Sequence, residues 1–317
     1  MRKQIIVTTR GGVGDVLLCT PALRAVKESY PDHKLIVYCL KKAHWNVLQH
    51  NPYIDSLRII STLHLLRYPV HLYHYLFNKW WKKGYMFNIA RMKHYRLLFQ
   101  HIPISLIYEK NVKDIVPEVF HDLDVRCRHR KIGLFFTRQE EEKARKALEP
   151  HRRVVLMHVF SRTSVNHHWP AERWEELVRQ LPEYTFIQIG LPDEPYVKGA
   201  LDWRSSKMTI RETLCLIKYA DSFVGVESSM GHATNAFDIP GVVLFGDTSP
   251  VHWGHENNIN IYKSIRCSPC YHYVSSDPCP YGHECMRFIT VEEVRKAIVS
   301  QMNTDRISYR QLHISTP

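Results

Sequence analysis

Apolar positions along this chain alternate between two periods, and the alternation predicts its elements. Residues 4–9 (Gln-Ile-Ile-Val-Thr-Thr) are rich in β-branched side chains and read as a strand. Beyond a glycine turn, apolar residues return at helical spacing over 16–29, at Val16, Leu17, Leu18, Leu23 and Val26. A second short apolar run, 34–40, precedes a polar-apolar segment at 46–50 that Asn51-Pro52 ends. A charged helix over 138–149 stops at Pro150, and a new series begins with the strand 154–159. Further strands are predicted at 185–189, 222–226 and 242–245, with helices near 171–181, 210–219, 230–237 and 291–301. Strands alternating with helices imply parallel βαβ units and an α/β fold. A chain of 317 residues is long enough for two such domains, and the break at Pro150 divides it into 1–150 and 151–317.

Composition narrows this only a little. With 44% hydrophobic and 23% charged residues the chain reads as globular, which excludes a disordered or fibrous protein. Its balance of 43 Lys+Arg against 31 Asp+Glu gives +12 and favours anionic partners: nucleotides, phosphorylated lipids, an acidic membrane surface or nucleic acid. The opening apolar run is too short for a signal peptide, and no stretch approaches the roughly 18 apolar residues of a membrane span, so a cytoplasmic location is expected. Between Ser56 and Tyr108 there is no Asp or Glu, while eight Lys/Arg and five His crowd in with many aromatics. Two readings stay open for the 64–101 region: a buried aromatic helix with a solvated basic face, or an interfacial surface that touches anionic lipid.

Three stretches carry candidate chemistry. Gly11-Gly12-Val13-Gly14-Asp15 places an acid directly after a glycine turn at the end of a strand, where it either caps the following helix or faces a substrate. The run from Ser222 to Pro250 ends a strand at Glu227, then gives Ser228, Ser229, Gly231 and His232 at the start of a helix. Free N–H groups and a helix dipole at a strand's carboxyl end suit a diphosphate, whereas the bland reading of the two serines is helix capping. The third is Cys267-Ser-Pro-Cys270, followed by Cys279 and Cys285. One Cys-x-x-Cys knuckle plus two more thiolates in a reducing compartment predicts a closed Cys₄ site for structural Zn or Fe, with free thiols or disulfides as the alternative.

The opening Gly-Gly-Val-Gly-Asp-Val-Leu-Leu-Cys-Thr-Pro block, Asn51-Pro-Tyr-Ile-Asp55, the 224–250 block and Trp253-Gly254 resemble, in order, glycosyltransferase family 9, which contains the ADP-heptose:lipopolysaccharide heptosyltransferases. The resemblance covers roughly 5–60 and 155–295. It implies the GT-B architecture: two Rossmann-like domains with parallel sheets facing an interdomain cleft, the acceptor on the first and a nucleotide-sugar on the second. It further implies inverting transfer of a heptose or related sugar from ADP-heptose or another nucleotide-sugar to a lipid-linked saccharide such as the lipopolysaccharide core. No cofactor is required for that catalysis, peripheral contact with an anionic inner-membrane surface is expected, and nucleic acid is not.

Site roles follow from the same resemblance. Asp15 matches the catalytic base, with Gly11, Gly12 and Gly14 shaping its turn. Ser161 and Thr163 match a hydroxyl-bearing donor loop, and His167 stands where the family has a lysine. Glu194 and Met208 match positions that meet the nucleoside, and Glu227 replaces the usual Asp ahead of the Ser228–His232 segment. The two replacements leave open a weakened relative that binds nucleotide-sugar as an interaction module. A basic Cys₄ protein that binds nucleic acid is the alternative from a different class.

Overall fold

The computed structural model describes residues 4–9, 12–60, 95–99 (backbone alone), 125, 127–162, 164–205, 207–270 and 279–303. The chain divides into two compact units, Met1–Phe135 and Phe136–Pro317. The first holds β1 (Gln4–Thr8), α1 (Val13–Ser29), β2 (Lys34–Cys39), α2 (Lys42–Leu48), β3 (Ser56–Ile59) and β4 (Tyr95–Phe99). Its strands are all parallel in the order β3-β2-β1-β4, with Ile5 beside Leu35.

The second unit runs α3 (Arg138–Leu148), β5 (Val154–His158), a 3-10 turn (Val165–His167), α4 (Ala171–Gln180), β6 (Thr185–Gln188) and β7 (Leu201–Asp202). It continues with α5 (Ile210–Tyr219), β8 (Ser222–Val226), α6 (Ser229–Ala236), β9 (Gly241–Phe245), α7 (Pro250–Trp253), β10 (Asn258–Tyr262), α8 (Glu284–Arg287) and α9 (Val291–Met302). The six strands are parallel in the order β10-β9-β8-β5-β6-β7. Counted within the unit this is the doubly wound order, with its switch point between β5 and β8. In the first unit the switch point lies between β1 and β4. Ligands of such sheets bind outside the carboxyl ends of the strands at the switch point, so these two places are where chemistry is expected.

Local sequence explains the elements. Strands β5, β8 and β9 are buried along almost their whole length, as parallel strands covered on both faces must be. Their side chains pack with Trp169, Trp174, Leu177, Ile289 and Ile298 in one core. Helices α3, α5 and α9 each open on a Thr-x-x-Glu capping box: Thr137 with Glu140, Thr209 with Glu212 and Thr290 with Glu293. Helix α1 carries Pro21 in its interior, where proline removes a backbone donor. The carbonyl that this strips of its partner is that of Leu17, and the Thr20 hydroxyl donates to it at 2.7 Å. The same hydroxyl accepts the Gly133 N–H at 2.8 Å, so Thr20 also ties the end of the unit to α1.

The boundary expected at Pro150 falls instead at Phe135/Phe136. Helix α3 belongs with the second unit because its charges pair with α5. Arg211 lies over both Glu140 oxygens at 2.5 and 2.9 Å, while Lys218 and Tyr219 reach Glu141 at 2.5 and 3.0 Å. Strands β3, β7 and β10 escaped the sequence pattern because they are short, lie at sheet edges and bury little. Apart from the β4 backbone, the basic aromatic stretch lies outside the described residues, and among those described no helix is long and apolar enough to cross a membrane.

Candidate functional site

At the first switch point, β1 leads through the glycine turn into α1. Asp15 is the third residue of that helix, half-buried, and its Oδ2 accepts the Gly12 N–H at 2.6 Å, closing a capping box at the helix start. Burial raises the Asp15 pKa above the ordinary carboxylate value, and the Gly12 N–H and the Lys41 charge only partly offset that. Gly14 follows as the second residue of α1, and Gly11 lies outside the described residues.

The second switch point is denser. Strand β8 delivers Glu227 and then Ser228, which is the N-cap residue of α6, yet its side chain makes no capping hydrogen bond. The Ser228 hydroxyl is instead 3.2 Å from His158 Nδ1 at the end of β5. Capping therefore does not account for Ser228: its hydroxyl spans the switch point and leaves the first N–H groups of α6 without a side-chain cap. Ser229 and Gly231 form the first turn, with Gly231 close against Val243.

Buried ionisable groups lie behind that helix start. Glu227 has His167 Nε2 3.6 Å from Oε2 and His232 Nε2 3.7 Å from Oε1. His167, 1% exposed, also lies 2.5 Å from Asp247 Oδ1, and its Nδ1 is 3.1 Å from the Glu227 carbonyl oxygen. Ser164 donates to the other Asp247 oxygen at 2.9 Å. The pKa values of the His167 and His232 rings are shifted in opposite directions. Burial pulls the His167 pKa down, but Asp247 and Glu227 overcome it and the net shift is upward. Burial raises the Asp247 pKa, but the His167 pairing outweighs it and leaves the carboxyl below its ordinary value. His232 is driven well below the histidine range by burial and by His255, whose Nε2 is 2.9 Å from His232 Nδ1. His158 is likewise kept neutral, lowered to about 4 by burial. A small recess opens beside this group, lined by Glu227, Ser228, His232, Trp253, His255 and Asn260 among others.

The β6 end adds the nucleoside candidates. Glu194 is buried, with Oε2 3.7 Å from His158 Nε2 and Oε1 3.6 Å from Arg162 Nε. Burial raises its pKa, and Arg162 holds it back. Gly190, at φ +143°, makes room for it: a Cβ there would sit 2.2 Å from Glu194 Oε2. Ser161 is buried, with its carbonyl 3.2 Å from His168 Nε2. Met208 is half-buried, one residue before the α5 cap, and Thr163 lies outside the described residues.

The four cysteines expected at a metal site lie on either side of residues 271–278, which are outside the described residues; among the described residues no group of three or more His, Cys, Asp or Glu side chains is arranged to hold a metal ion, and none of Cys267, Cys270, Cys279 and Cys285 forms a disulfide. Burial pushes Cys285 up to about 12, and neighbouring Cys279 and Cys270 push the same way. This segment braces the loops after β9 and β5: Ser268 donates to the Gly246 carbonyl, and His283 Nε2 is 2.8 Å from Asn166 Oδ1.

Sequence reading missed His158, Ser164, Asp247 and His255. A signal existed for one of them, because Gly246-Asp247 after β9 repeats the strand-glycine-acid order of Gly14-Asp15.

Comparison with known proteins is consistent with this arrangement. The profile of Glycosyltransferase family 9 (heptosyltransferase) matches residues 205–280. Lipopolysaccharide heptosyltransferase 1 of Pseudomonas aeruginosa is 26% identical over 126 residues, a match that spans 36% of this chain and 36% of that relative. In fold, the glycosyl transferase family 9 protein of Veillonella parvula DSM 2008 superposes with a TM-score of 0.68 at 15% identity, covering 95% of this chain and 98% of the other. The iron-containing dodecameric glycosyltransferase TibC of enterotoxigenic Escherichia coli H10407 gives 0.67 at 15% identity, covering 95% and 76%. The chain thus has two parallel Rossmann-like units of the GT-B type, and its residues 205–280, which include the Glu227–His232 block, are similar to glycosyltransferase family 9 heptosyltransferases.

Proposed function

We propose that the protein is an inverting glycosyltransferase that moves a heptose from ADP-heptose onto a lipid-linked saccharide of the lipopolysaccharide-core kind. The single observation that carries this is the start of α6 at the β5/β8 switch point, where the N-cap hydroxyl is diverted to His158 and the first N–H groups are left to an anion. The donor's diphosphate takes that place, on the second unit, with Ser228, Ser229, Gly231 and His232 around it. Ser161, Thr163, Glu194 and Met208 serve the nucleoside end. The acceptor belongs to the first unit. There an acceptor hydroxyl attacks the anomeric carbon as the bond to the diphosphate breaks, Asp15 takes the hydroxyl proton, and ADP leaves with the bonding electrons. A carboxyl whose pKa is raised by burial is a better base than an exposed one, which supports Asp15 in this role. Purified protein given ADP-heptose and lipopolysaccharide-core acceptor is expected to release ADP. Release from no nucleotide-sugar and acceptor pair, together with binding of ADP-heptose, would favour the weakened-relative reading instead.

Two finer parts belong to the same proposal. The basic 64–101 segment docks on anionic membrane on the cytoplasmic side, supported by its charge, and co-sedimentation with phosphatidylglycerol but not phosphatidylcholine vesicles tests it. Cys267, Cys270, Cys279 and Cys285 hold a structural metal. The four-thiol donor set and the iron named for TibC support that, and elemental analysis of chelator-free protein tests it.

A further inference from the structure

Both ring nitrogens of His167 face groups that only accept. Nδ1 is 3.1 Å from the Glu227 carbonyl oxygen and Nε2 is 2.5 Å from an Asp247 carboxylate oxygen. Nδ1 has its hydrogen-bond partner, whereas Nε2 and Asp247 Oδ1 are buried at close range without hydrogen-bond alignment, so what a second ring proton adds is a positive charge directly opposite the carboxylate. We propose that Asp247 is a positioning residue that keeps His167 an imidazolium at neutral pH, a fixed cation behind the Glu227–Ser228 turn that supports binding of the donor diphosphate. The inference rests on the donor reading above and adds to it a residue and a charge state.

The surroundings of His167 are consistent with this. Glu227 Oε2 is its second carboxylate neighbour at 3.6 Å. Ser164 donates to Asp247 Oδ2, which fixes that carboxylate as an acceptor toward the ring. His168, the next residue, is lowered, chiefly by burial, with His167 and His283 adding to the effect. His232, on the far oxygen of Glu227, is neutral, and Cys285 is the remaining titratable group that acts with Asp247, as a protonated thiol. Without the imidazolium, two carboxylates would stand unneutralised behind a helix start meant for an anion. With it, one of them is offset, and the imidazolium stands in for a lysine's ammonium.

The test reads the charge first and its use second. The His167 ring signal in the NMR spectrum of isotopically labelled full-length protein is identified as the one absent from His167→Gln, then titrated without ligand. The wild-type ring is expected to stay protonated past pH 7.5, and in Asp247→Asn its midpoint is expected to fall. Affinity for ADP-heptose without acceptor is then measured from pH 5.5 to 8; a diphosphate diester has no group of its own titrating there. Wild type is expected to be flat, and Asp247→Asn to lose about tenfold across that range. A ring that is neutral at pH 7 in wild type overturns the inference without reference to any ligand or to the folding of a variant. A variant whose affinity parallels wild type at every pH overturns the second half. If wild type binds no ADP-heptose at all, the donor reading fails and takes that half with it, while the titration still decides whether Asp247 sets the charge.

Discussion

Helices α1 and α6 begin in the same topological place, each just beyond a strand at the switch point of a parallel sheet, yet they use their first turns in opposite ways. Helix α1 closes its start with its own acid, because Asp15 accepts the Gly12 N–H and sets a carboxylate where an anion would otherwise bind. Helix α6 leaves its start uncapped by a side chain and places Ser228 on His158, with His167 beside Asp247 behind it. A glycine-rich turn after a strand therefore does not by itself mark the phosphate site; what the first-turn side chains do with the N–H groups decides it.

The sharpest way to separate the two ends is at Asp15. Asp15→Asn keeps an oxygen that can accept from Gly12 but removes the base, so ADP release is expected to fall by about 10²- to 10⁴-fold while the melting temperature stays near wild type. Turnover that survives would leave capping as the whole role of Asp15. At the other end, Gly190→Ala places a methyl into the Glu194 carboxylate and strains a φ of +143°, and about a tenfold loss of ADP affinity with little change in kcat is expected. An unchanged affinity would detach Glu194 from the nucleoside.

Two further predictions test the scaffolds under the comparison. Thr20→Val removes the hydroxyl that serves both the Leu17 carbonyl and the Gly133 N–H, so denaturant unfolding is expected to show a loss of about 1–3 kcal/mol in the first unit. The smallest effect concerns Glu140 in the second unit, whose pKa is lowered to about 2, mainly by Arg211. A carboxyl lowered on folding adds stability that is complete above its unfolded value near 4.5 and is lost as pH falls toward 2. The melting temperature is expected to drop across that window in wild type, and to drop less in Glu140→Gln.

The interior of each unit was legible in the sequence, because β5, β8 and β9 are continuous apolar runs and the helices between them repeat at helical spacing. The edges were not: β3, β7 and β10 bury too little for a periodic signal. Helix α3 was readable as a helix but not as a member of the second unit, since its attachment runs through Glu140–Arg211 and Glu141–Lys218 pairs formed across distant parts of the chain. The same limit applies at the site. Glu227 to His232 stand together in sequence and could be read as one block, whereas the Ser228–His158 bond joins residues 70 apart and the Asp247–His167 pair joins two loops. Contacts of that kind follow from strand order, which local spacing does not encode. The cysteine spacing suits a tetrahedral ligand set, and among the described residues no such set is assembled.

The claim that the anion belongs to α6 and not to α1 is tested most directly by calorimetric titration of ADP-heptose into full-length wild type, Ser228→Asp and Asp15→Asn. Aspartate is itself a good N-cap, so Ser228→Asp preserves the helix while placing a negative charge at its start. The account predicts that Ser228→Asp abolishes measurable binding and that Asp15→Asn binds within about twofold of wild type. Normal binding by Ser228→Asp, with affinity lost or much altered in Asp15→Asn, would contradict it.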